Sequence, residues 1–345
     1  MTQGTTKGVP IDTDATMALN SNQVVPSQAA VVSYVGAQIA PKISGSATQF
    51  SVIVGAAGNT IGSVGPGTAG QVLQSGGAGA NPAYSTATYP NSTTSQQILY
   101  STAANVVGEL TTANSKFPAT NSSGTLAMRA LSVVVQTFVA NGTYTPTSGM
   151  LYCVVEMVGP GGGGGGTATC SAAQSAQAGS GGAGEYARGV FSAATIGASQ
   201  SVTCPAGGNG GAAGANTGTA GADTTALGVL LTAFGGKGGV GAAATTTSQS
   251  IAGGVGGTGG AGGSFRSPGQ AGGNAAGTFG AFTIQGNGGS SPFGGGAKGR
   301  TVAGAGVAAG GNGAGGSGAN GFNNAASAGG NGSAAIIVIT EYVIA

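Results

Sequence analysis

Side chains able to do acid–base, nucleophilic or metal chemistry are scarce. The 345 residues include no His and no Trp, seven acids and three cysteines. Without His there is no Ser–His–acid triad, no His general base and no His-ligated metal. A carboxylate pair for glycoside hydrolysis would have to come from the seven acids. Glu156 and Glu341 fall on two candidate strands, where they read as cross-strand or solvent-facing residues. Glu185 and Asp223 stand isolated among glycines. Cys153, Cys170 and Cys204 are odd in number and form no Cys-x-x-Cys, so they read as small buried or half-buried thiols of a reducing compartment, not zinc ligands. Gly-x-Gly-x-x-Gly matches abound, but none runs on into Lys-Ser/Thr, so there is no phosphate loop. No catalytic residue, metal ligand or cofactor is assigned.

The residues that stand out are bulky ones interrupting glycine runs: Phe265, Arg266, Phe279, Phe282, Phe293, Lys298, Arg300 and Phe322. Exposed aromatics beside Arg suit a binding surface. That reading places 265–268, 279–282, 291–300 and 320–324 in loops at a tip. The alternative is that the phenylalanines form a small core between the glycine region and a sheet.

The composition says what must hold these residues. Glycine numbers 75, of which 58 fall in residues 151–345, while charged residues are 5% and the net charge is +2. Charge-driven disorder does not fit, because apolar residues make up 40%. Nine scattered Lys and Arg do not make a nucleic-acid face. No apolar run is long enough to span a membrane, and the first residues lack the apolar stretch of a secretory signal.

Residues 131–139 and 150–158 are β runs joined by NGTYTPTSG, a hairpin candidate; 334–345 is a third strand, expected to pair with one of them. Residues 159–333 then form an excursion from a small sheet. Within it, 253–264 reads GGVGGTGGAGGS, four Gly-Gly-X triplets, with shorter runs at 207–212 and 235–240. A period of three is that of the polyproline II helix. Collagen is rejected, since the runs are short and Pro numbers only 12. The expectation is a bundle of short polyglycine II helices, with triplet glycines inside and X residues outward; four triplets would span about 37 Å. A flexible Gly/Ala/Ser linker is the competing reading. The triplet register and the flanking strands argue against it. Gly-Asn-Gly at 208–210, 286–288, 311–313 and 330–332 reads as structural, since Asn tolerates positive φ and bonds nearby backbone.

The N-terminal part reads as a stalk. Residues 24–39 suit a short helix capped by Ser27 and stopped by Pro41, with Val25, Val32, Val35 and Ile39 as the seam of a trimeric coil. From 46 to 130, short apolar runs separated by turns suggest a β-rich fibrous shaft. The fold class expected is mainly β and irregular, in three parts: 1–45, 46–130 and 131–345.

TDATMALNSNQVVPSQAAVVSYVGAQIA near the start, GTAGQVLQSGGAGANPAY (67–84) and QQILYSTAANVVGELTTANS (96–115) resemble segments of tailed-bacteriophage tail fibre proteins. The C-terminal pattern of β strands, GPGGGGGG (159–166), a glycine-rich body and a terminal strand is similar to the glycine-rich domain at the tip of many such fibres and adhesins. The resemblance implies a homotrimer in the virion tail, made in the host cytoplasm. Its N-terminus would attach to tail or baseplate proteins. Its tip loops would bind a host surface polysaccharide or outer-membrane protein. From the residues, no enzyme activity, nucleic-acid partner or membrane span is expected. A free glycine-rich structural or ice-binding protein is the alternative, and a receptor-degrading tailspike enzyme a third.

Overall fold

The computed structural model describes residues 11–12, 25–39, 48–56, 60–121, 123–279 and 282–344. It is mainly β and irregular, and divides into two units, Met1–Met128 and Arg129–Ala345. No described helix is long and apolar enough to cross a membrane.

In the first unit a helix spans Gln28–Ile39, and the Ser27 hydroxyl accepts the Ala30 N–H at 3.0 Å, a side-chain N-cap. Val52–Ala56 pairs with Thr60–Val64. Gln71–Gln74, Ala83–Thr88, Val106–Thr111 and Gln97–Ala103 form a four-stranded sheet in that order. Among the described residues of this unit only Ala30 and Ser85 are buried. Its strands are short and alternate, but the described residues give them no buried interior to face.

The second unit is built on a five-stranded antiparallel sheet: β1 (Leu131–Phe138), β2 (Met150–Val158), β3 (Tyr186–Ser192), β4 (Phe265–Ser267) and β5 (Ile336–Ile344). The order is β1-β5-β2-β3-β4. The terminal strand therefore pairs with both early strands and separates them, so the expected β1–β2 hairpin does not form. The cause lies in the connection, because Gly142–Tyr144 turns away to pair with Gln200–Val202. Ile337, Ile339, Glu341 and Val343 alternate inward on β5 and meet Cys153, Val155 and Met157 of β2 in a buried core with Tyr144 and Leu231.

From β2 the chain enters 159–166, and here every N–H, and every carbonyl from Pro160 to Gly166, finds a backbone partner in another run. The N–H groups of Gly161 and Gly164 donate to Ser333 and Gly330; those of Gly162 and Gly165 to Gly182 and Gly179; those of Gly163 and Gly166 to Thr219 and Asn216. In return the carbonyls of Gly161, Gly163 and Gly162 accept from Gly208, Gly239 and Gly316. Distances are 2.8–3.0 Å. Each third residue thus points to the same neighbour, so the run is a three-fold helix surrounded on all sides, as polyglycine II requires. Residues 178–185 repeat the arrangement, with Gly181 and Gly184 donating to Gly316 and Gly313, and Gly179 and Gly182 to Val240 and Lys237. The bundle is held together by these bonds, and a Cβ on most of its glycines would overlap a neighbouring carbonyl.

Two details of the triplet expectation change. At the periphery X residues do face out, as Val255 and Lys237 show. The central runs 159–166, 178–185 and 313–319 have neighbours on all sides, so they carry small residues at all three positions, apart from their ends, and are buried throughout. GPGGGGGG is the axis of the bundle. The four-triplet run is also not one helix: Gly259, Gly262 and Gly263 take φ of 105°, 75° and 75° and turn the chain back to β4. The helices are about eight residues, or about 25 Å, long. Three of the four Gly-Asn-Gly asparagines bond backbone through their side chains: Asn287 Oδ1 accepts from Gly299 and Asn331 Oδ1 from Gly210, both at 2.8 Å, and Asn312 Nδ2 donates to the Ala335 carbonyl at 3.2 Å. None of those four asparagines has positive φ.

Candidate functional site

The helices alternate in direction, which gives the bundle two ends. Runs 208–214, 236–242 and 316–319 are parallel to 159–166, by the three-residue steps of their bonds, and run away from the sheet. Runs 179–182, 216–219 and 327–333 return. The turn around 215 and the connections 168–177, 243–251, 275–279 with 282–284, 300–303 and 320–326 therefore lie at the outer end. Those at 222–234, 258–267 and 290–293 lie against the sheet.

This division separates the sequence candidates. Phe265 and Arg266 are on β4, an edge strand, not in a tip loop. Phe265 meets Tyr186 edge-on at 6.0 Å, and Tyr186 also contacts Phe293 at 6.3 Å. Arg266 is engaged in structure. Its Nη1 donates to Glu185 Oε1 at 2.8 Å, and its other donors reach the carbonyls of Thr232, Ala261 and Gly262. Glu185 is 3% exposed, and its Oε2 accepts the N–H groups of Phe234 and Gly260. Glu341 is fully buried, not solvent-facing; it accepts from Tyr144 Oη at 2.6 Å, from Gln136 Nε2, and from both the N–H and hydroxyl of Thr147. This ties the loop before β2 to the C-terminal strand. A buried acid without its donors costs several kcal/mol, which is why both acids are fully surrounded.

At the outer end, Phe279 and Phe322 stack with ring centroids 5.0 Å apart and planes 11° from parallel, and Phe322 is 41% exposed. Next to Phe279, the Thr278 hydroxyl lies 2.7 Å from that of Ser248, and Thr245 and Thr247 hydroxyls are 3.0 Å apart. The Phe322 N–H donates to Asn324 Oδ1 at 2.8 Å. Beneath them Gln177 and Asn320 are buried opposite each other in register, each with one side-chain polar atom unpartnered among the described residues. Phe282 pairs with Thr278 through its backbone; its side chain is outside the described residues. Lys298 is exposed and Arg300 half-buried at the end of an outgoing run. The outer face is thus an aromatic pair set among hydroxyls and amides. The hydroxyl cluster was not singled out from sequence, although TTTSQS at 245–250 breaks the glycine pattern as plainly as a phenylalanine does.

Of the residues expected to form a seam, Val25 lies before the helix, where Val25–Pro26 pairs with Ile11–Asp12. Val32 and Val35 are exposed on the helix, and the side chain of Ile39 is outside the described residues.

All three cysteines are buried and unpaired. Burial pushes the Cys153 and Cys204 thiols up to about 11, and burial with the Glu156 hydrogen bond pushes the Tyr186 phenol up to about 12. Burial and the Glu341 bond raise Tyr144 further. The folded protein thus holds protons that the unfolded chain releases. Stability from these groups is complete below about pH 9 and is lost as pH rises through 11, at about 1.4 kcal/mol per pH unit for each thiol. Urea titrations are expected to give a lower midpoint at about pH 10.5 than at pH 8, and native thiols should resist alkylation until the chain unfolds. An unchanged alkaline midpoint, or rapid native labelling, would contradict this assignment.

A β-sheet closed by its terminal strand, with hydrogen-bonded glycine helices projecting from it and loops at the far end, defines a glycine-helix scaffold domain. The chain belongs to the glycine-rich domain family, whose model matches residues 134–340. No curated protein matches the chain.

Proposed function

We propose that this chain is a tail fibre protein of a tailed bacteriophage, and that the outer end of its glycine-helix bundle binds a receptor on the host cell surface. The observation that carries this reading is the polarity of the bundle. One end is closed on the sheet, while the other collects six connections, a stacked aromatic pair with Phe322 exposed and a hydroxyl cluster. Glycine helices suit the role, because they fix loop ends rigidly without side chains of their own. The resemblance of the N-terminal segments to tail fibre stalks supports the rest: a homotrimer, tail or baseplate attachment through the N-terminus, and a place in the virion tail. Binding without hydrolysis is the proposed activity, since Glu185 and Glu341 are consumed by structural hydrogen bonds.

The test is adsorption of the purified full chain to a panel of bacterial isolates, followed by variants. On a strain that binds, Phe322→Ala should weaken adsorption at least about tenfold with an unchanged melting curve. Phe293→Ala, at the sheet end, should not weaken adsorption. Equal adsorption by Phe322→Ala and the parent would reject the outer face as the binding surface.

A further inference from the structure

The sheet of the second unit has two faces, and the bundle-side core uses one. On the other, the register sets Val133 opposite Tyr342 and Tyr342 opposite Tyr152, while Val135 shares the next row with Thr340, Val154 and Val190. Val133, Val135 and Val190 are 56%, 57% and 52% exposed, and Tyr152 and Tyr342 stack at 4.6 Å in the middle of the face. Contiguous exposed apolar area of this kind marks an interaction surface.

The two edges of the sheet differ. β4 is three residues long and carries Arg266. β1 is eight residues long, LSVVVQTF, with no charge and no Pro. Natural edges are normally blunted by charge, Pro or brevity; β1 has none of these.

We infer that this face, with the β1 edge, is covered by a second copy of the same chain. The charges on the face favour a like partner: Glu156 and Arg188 lie opposite each other at its margin, and Arg188 makes no ion pair among the described residues. A face bearing one carboxylate and one guanidinium is complementary to itself. The first unit makes the same demand, since among its described residues only Ala30 and Ser85 are buried, which gives the described strands no core of their own. Chains held together there meet at high effective concentration elsewhere. The inference rests on the multimeric fibre reading above.

Sedimentation of the full chain tests that reading, and a nitroxide label tests the face. Val135→Cys offers the one exposed thiol among the described residues, since Cys153, Cys170 and Cys204 are buried. A multimer with dipolar broadening between labels, repeated with Val190→Cys and lost in a Val133→Lys variant that melts normally, is the expected result. A multimer without broadening at either position overturns the face and leaves the fibre reading intact. A monomer overturns both.

Discussion

Gly161→Ala is expected to abolish cooperative folding of the second unit, while Gly295→Ala, the same chemical change, is tolerated. A Cβ on Gly161 would overlap the Ala314 carbonyl carbon and oxygen, which are backbone atoms and cannot rotate away. Moving the run aside would break bonds that are spaced every three residues along it. The Gly161 N–H donates to Ser333, and the Gly161 carbonyl accepts from Gly208, so neighbours on two sides lose their register together. Each buried amide left unmet costs about 1–3 kcal/mol, so a few lost bonds reach about 5 kcal/mol or more. That is comparable with the whole stability of an ordinary domain, about 5–15 kcal/mol. At Gly295 nothing lies within 4 Å of the added carbon and φ is not positive. There the substitution should be neutral or should stabilise by about 0.4–1 kcal/mol, by restricting the unfolded chain. Denaturant melts of the two variants decide the matter. Similar behaviour of both would mean that the hydrogen-bonded lattice does not carry the fold.

Glu185→Ala is expected to destabilise the second unit by about 3–5 kcal/mol, the usual cost of removing one partner of a buried ion pair. The loss has two sources. Arg266 keeps its charge, with its Nη1 unpaired, while the N–H groups of Phe234 and Gly260 lose their only side-chain acceptor. Arg266→Ala should cost a similar amount. The double variant should cost clearly less than the sum, because the second change removes a group the first had already stranded. Since Glu185 is almost fully buried, added salt should change these values little. Additive losses, or losses that vanish in high salt, would indicate a surface pair of small value. The same measurement bears on function, because an arginine held this way is not free to meet a receptor.

The candidate site shows how far residue type reaches. Phe322 and Arg266 look alike in sequence, as bulky interruptions of glycine, yet one is exposed at the outer end and the other braces the sheet end. The difference is the direction of the preceding glycine run, which nothing local specifies. Arg266 follows the turn at Gly259–Gly263, whereas Phe322 follows the outgoing run 313–319.

By itself the sequence determined the building material. A block of glycine in triplets, bounded by Val-rich strands, can be neither a side-chain core nor collagen, and ordering it requires backbone-to-backbone packing. It also required the terminal strand to close on an earlier one, because Ile336–Ile344 is too apolar to be left alone. Only the tertiary structure decided that this strand lies between β1 and β2, that GPGGGGGG is the axis, and which loops share an end. The reason is that glycine carries no side chain to specify a partner. Any three-fold glycine run can bond to any other, so neighbours are chosen by the whole set of chain directions and connection lengths. Those are properties of the packed bundle, and no single segment contains them.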